Sequence, residues 1–142
     1  MAGTGATFAN DLLKLIFQAT TIANLAQNAT SSPITSIFAS LHTASPLAGD
    51  QTTNEAAYTG YARIGVTRDN TGWTVSTNTV VPVSSIIFPA ATGGSETETY
   101  AGLGKLISGA GELYFAGPIT PNIAVANGVT PSLTTASTLT LT

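Results

Sequence analysis

The sequence carries one histidine, His42, and no cysteine. A lone imidazole serves in catalysis only beside a nucleophile or a second base, and such sets are recognised by geometry rather than by sequence position. Flanked by Leu41 and Thr43 at a predicted strand end, His42 reads as an ordinary hydrogen-bonded or exposed imidazole. No second histidine or thiolate is present to complete a zinc site, so no metal and no cofactor is expected, and no catalytic residue is assigned. Glu96 and Glu98 stand two apart on a predicted strand, which points both carboxyls the same way. Glycoside hydrolysis needs two carboxyls on opposite sides of the bond, about 5–10 Å apart. The pair therefore reads as a solvated face that guards a sheet edge. Asp69 and Asn70 lack the acidic spacing of a calcium loop and read as turn residues. Gly102-Leu-Gly104-Lys105 lacks the phosphate-loop spacing and the hydroxyl after the lysine. Asn28-Ala29-Thr30 matches a glycosylation sequon, which means nothing without secretion. Trp73, Tyr58, Tyr61, Tyr100 and Tyr114 could line a sugar-binding face, but strands are rich in aromatics in any case.

The elements that would position these residues are mostly strands. A single short helix is expected over about 10–19, capped by Asn10 or Asp11, with Leu12, Leu13, Ile16 and Phe17 on one apolar face. Such a short helix must dock on its own sheet or on a neighbouring subunit. Strands are expected from about 34 to 142. Ile34 to Thr43 fits a strand buried on both faces. Tyr61–Thr67 and Trp73–Thr77 flank a turn-rich linker at 68–72 and read as a hairpin. Ile86 to Phe88 is a short strand stopped by Pro89. Glu96 to Leu106 is strand-like, loosened by Gly102 and Gly104, and Leu113 to Ala116 follows a turn. Pro118 and Pro121 make Ile119 to Val125 an edge or loop segment. Asn127-Gly128 is a turn, and Ser137 to Thr142 is a half-buried closing strand. Ala44 to Ala57 is a long polar loop, the kind that often makes contacts. Turns about ten residues apart predict one all-β domain over 1–142, a β-sandwich or barrel.

Composition narrows the function. Charged residues are 8% of the chain, against about 25% in typical domains. The exterior must therefore be Thr, Ser, Asn and Gly, a neutral surface that can be buried against a partner at little ionic desolvation cost. The net charge of −3 leaves no basic patch for nucleic acid. No apolar run reaches the about 20 residues of a membrane helix, and Met1–Asn10 lacks the pattern of a signal peptide. With so few charges available, Arg63 and Arg68 each stand out as candidate interface contacts, beside the helical Leu12, Leu13, Ile16 and Phe17.

Phe8–Phe17, Ile22–Leu25, Ser40–Ala44, Gln51–Glu55, Tyr58–Arg63, Phe88–Gly94 and Asn127-Gly128 together make the chain resemble a family of small structural proteins from tailed-bacteriophage particles, some used as head decoration and some tail-fibre-like. The resemblance spans nearly the whole sequence and includes no catalytic signature. It implies a non-enzymatic virion protein and, by analogy with other viral particles, a jelly-roll-like sandwich. The short, unrepetitive chain suits a cement protein that binds the assembled capsid exterior and adds its binding energy to the shell. The partners expected are the major capsid protein and further copies of itself, as a dimer or trimer. A tail or baseplate component, acting as a receptor-binding module, is the alternative.

Overall fold

The computed structural model describes residues 6–22 and 34–141. The sequon at Asn28 and most of the Ile22–Leu25 match lie outside the described residues. The chain divides into two compact units, each gathered from separated segments. One comprises Met1–Ser36, Thr67–Ser85 and Leu133–Thr142, and the other Ile37–Val66 and Ile86–Ser132.

The first unit contains α1 (Ala6–Gln18), a hairpin of β3 (Trp73–Ser76) and β4 (Thr79–Pro82), and β9 (Leu139–Thr140) beside β4. Ala9, Leu13 and Phe17 recur every four residues, so they form one stripe along the helix. That stripe is fully buried. Phe17 meets the Trp73 ring edge-on at 4.8 Å between centroids. Removing side chains of this size from water stabilises by roughly 1.5–3 kcal/mol each. The helix starts earlier than the sequence suggests, so Asn10 and Asp11 lie inside it rather than capping it. It closes at Ala19, whose left-handed backbone (φ 54°) turns the chain, and the Thr20 N–H donates to the Lys14 carbonyl at 3.1 Å. The expected hairpin across 68–72 does not form. Asp69 instead folds that linker on itself by accepting from the Thr71 N–H and hydroxyl. The real hairpin turns at Thr77-Asn78, pairing Ser76 with Thr79 and Trp73 with Pro82.

The second unit is built on a four-stranded sheet of order β2-β1-β6-β7. Its strands are β1 (Ser36–His42), β2 (Ile64–Thr67), β6 (Glu96–Gly104) and β7 (Leu113–Val125). A two-stranded ladder joins β5 (Ile86–Ile87) to β8 (Ser132–Leu133). The fold is thus all-β with one short helix. β1 is a central strand buried on both faces, as its sequence predicts: Ile37, Ala39 and Leu41 alternate with Ser40 and His42, and all five are at 0% exposure. β7 runs on through Pro118 and Pro121 as the outermost strand, where a missing N–H costs no ladder bond. One expectation is overturned here. β6 is an interior strand, and Glu98 is fully buried rather than on a solvated face.

Candidate interaction site

The polar residues of β1 and the loop after it converge on one region of the sheet unit. Ser40 and His42 are two apart, so they share a face of the strand. Opposite them on β6 stand Gly102 and Tyr100. A Cβ on Gly102 would come within 2.6 Å of His42 Nε2 and 2.7 Å of Ser40 Oγ. Glycine is required there because the two side chains lie over its backbone. The Ser40 hydroxyl and His42 Nε2 are 2.8 Å apart, and His42 Nδ1 is 2.9 Å from the Thr53 carbonyl. A carbonyl can only accept, so Nδ1 carries the proton and Nε2 accepts from Ser40. Burial is the main cause that lowers the His42 pKa, which keeps the ring neutral. This is the hydrogen bonding of a nucleophile and its base. Both side chains are nevertheless at 0% exposure, so a substrate carbonyl has no access to Ser40 Oγ.

A second cluster fixes the turn between β6 and β7. Gln51, fully buried, reaches Leu106 with both ends of its amide. Its Nε2 donates to the Leu106 carbonyl at 3.2 Å, and its Oε1 accepts from the Leu106 N–H at 2.8 Å. Gly104 and Gly111 leave the room, since a Cβ on either would strike the Gln51 side chain. Arg63 adds a third bond to the same residue, from Nη1 to the Leu106 carbonyl at 3.0 Å. The rest of its guanidinium forms a bidentate pair with Glu55, at 2.6 Å from Nε and 2.7 Å from Nη2. The Tyr61 hydroxyl donates to that carboxylate and accepts from the Leu41 N–H. Held by this clamp, the turn exposes Leu106 at 43% and Ile107 at 63%. Leu47, on the loop that carries Gln51, is 64% exposed. Large apolar side chains left in water on fixed backbone are what a protein contact needs, because little entropy is lost on docking.

The interface candidates drawn from the sequence fall elsewhere. Leu13 and Phe17 are buried in the first unit and Arg63 in the second, at 4% exposure. Arg68 donates to the Leu15, Ile16 and Ile34 carbonyls of its own unit. These four side chains already have internal work. Leu12 and Ile16 are half-buried. Apolar periodicity and charge scarcity mark residues worth burying, but do not say whether the partner is the chain itself. Leu106 and Ile107 carry no local signal beyond their place in a glycine-rich turn.

Residues 5–142 match the family described as podophage GP4 fiber I protein gp80. The chain belongs to that family. It is therefore a phage structural protein, as the resemblance implied. No curated protein matches it.

Proposed function

We propose that this chain is a non-enzymatic structural subunit of a phage fibre, and that it docks on a neighbouring virion protein through the turn bearing Leu106 and Ile107. The observation that carries this reading is the clamp. Three hydrogen bonds from the buried Gln51 and Arg63 hold Leu106 while its side chain and that of Ile107 stay exposed. Buried polar groups are expensive unless satisfied; here their bonding capacity goes into fixing one turn. The Ser40–His42 pair supports the non-enzymatic part, because its bonds are sealed inside the fold. The family description supports the fibre.

The test is particle assembly with Ile107→Asp. Surface substitutions usually shift stability by no more than about 0.5 kcal/mol, so the variant should fold as the wild type does. It should be depleted from purified particles. Normal incorporation would refute the contact. Capsid decoration is the second reading, favoured by a short chain without internal repeats. Copy number separates the two: densitometry against the major shell protein should give a small ratio for a fibre and a large one for shell cement.

A further inference from the structure

Glu98 is the polar group in the sheet unit whose position the clamp does not explain. It is at 0% exposure, and neither of its oxygens has a hydrogen-bond donor among the described residues. An unpaired carboxylate in that setting costs several kcal/mol, and such a group normally neutralises instead. Glu96, two residues earlier on the same strand, shares a face with it, and its charge acts on the Glu98 carboxyl. Two carboxylates repel, and two carboxyls bond only with a proton between them. Glu96 has a separate task. Its Oε1 accepts from the Ala57 and Tyr58 N–H groups, both at 2.8 Å, which ties the segment after Glu55 to β6.

We propose that Glu98 is a neutral carboxylic acid on the same strand face as Glu96, and that removing its proton sets two negative charges side by side and loosens the Ala57–Tyr58 segment which Glu96 holds. The surroundings fit. Opposite Glu98 on β7 is Ile123, and opposite Glu96 is Val125, neither of which titrates. From the held segment comes Tyr58, whose hydroxyl donates to the Pro89 carbonyl. Burial pushes that phenol up to about 12, with the charges of Glu98 and Glu96 adding to it. The charge acting on Glu98 is thus the negative one of Glu96. A bound cation would need about six oxygen ligands, and no group of three or more acidic or histidine side chains gathers among the described residues. A proton needs one.

Burial first, then the Glu96 hydrogen bond and its charge, push the Glu98 carboxyl up to about 8. A group raised in the folded state stabilises fully below its unfolded pKa, and that contribution is lost as pH rises to the folded value. The Glu98 contribution to stability should therefore decline from about pH 4.5 upward and be gone above about pH 8. Glu98→Gln keeps a neutral side chain of the same shape; it should remove this slope and raise Tm at pH 8.5. Hydrogen exchange of the Ala57 and Tyr58 amides at pH 8.5 should be faster in the wild type than in Glu98→Gln. If the variant does not fold, infrared spectroscopy of the wild type still decides: the carbonyl stretch of a neutral acid should be present at pH 7 and fade with a midpoint near 8. A wild-type slope unchanged in the variant, equal amide exchange, or no neutral-acid band at pH 7 would each overturn the proposal. So would a Tm rise with calcium at pH 7 that Glu98→Gln abolishes, since the site would then hold a cation.

Discussion

Arg63 and Arg68 both turn their guanidinium groups inward, one in each unit, yet they meet different chemistry. Arg63 faces the Glu55 carboxylate through two nitrogens and a carbonyl through the third. Arg68 spreads its donors over three main-chain carbonyls, two of them in the last turn of α1. Those carbonyls have no partner within the helix, and a cation beside them also opposes the negative end of the helix dipole. The Arg63 arrangement includes a matching charge, whereas these three Arg68 contacts are to neutral carbonyls. Losing Arg63 strands an ion. Losing Arg68 strands neutral acceptors at a helix end, where solvent can take over part of the bonding.

That contrast ranks the substitutions. Arg63→Met should cost the most, about 3–5 kcal/mol, because breaking one partner of a buried pair leaves the other uncompensated. Chemical denaturation measures it, and Glu55→Gln made with Arg63→Met should recover part of the loss. Arg68→Met should cost about 1.5–3 kcal/mol, the range for hydrogen bonds to a charged group. Circular dichroism should show the loss as reduced helix signal. If the two arginines proved equal, the carboxylate would be adding nothing beyond its role as an acceptor.

A smaller effect tests how the clamp is seated. Gly104→Ala would place a Cβ within 2.6 Å of Gln51 Cγ and Nε2. The Gln51 side chain can shift, so the penalty should fall at about 1–2 kcal/mol, in the lower part of the overpacking range. The Leu106 amide should then exchange faster with solvent, having lost its bond to Gln51 Oε1.

The same glycines show what was legible in the sequence. Gly102 and Gly104 read there as weak points in a strand, and the structure makes them the spaces into which Ser40, His42 and Gln51 fit. Local patterns were readable: the helical stripe, the doubly buried β1, the turn at Asn127-Gly128 and the edge character imposed by Pro118 and Pro121. The Ser40–His42 pair was not read there, although residues two apart on a strand share a face. The clamp was not readable, because Gln51 and Leu106 are 55 positions apart and nothing local to either names the other. Glu98 misled for a related reason. Two glutamates on a strand normally face water, and only the place of β6 between β1 and β7 puts one of them inside.

The smallest expected effect sets His42 against Glu98, two buried titratable groups of the sheet unit with opposite signs. Burial chiefly lowers the His42 pKa, reinforced by Arg63 and opposed by the Thr53 bond and the Glu55 charge. The folded protein holds the ring neutral, whereas the unfolded chain takes up a proton near about pH 6.5. Below that pH the unfolded state binds more protons, so His42 contributes stability that is present above about 6.5 and lost toward acid. Glu98 acts in reverse, adding stability as pH falls from about 8. The wild type should therefore show a shallow Tm profile between about pH 5 and 6.5, where the two slopes oppose. In Glu98→Gln the histidine acts alone, and Tm should fall visibly over that interval while the His42 ring resonances remain those of neutral imidazole. Titration of the ring near its ordinary value would mean that Ser40 and Thr53 do not seal it from solvent.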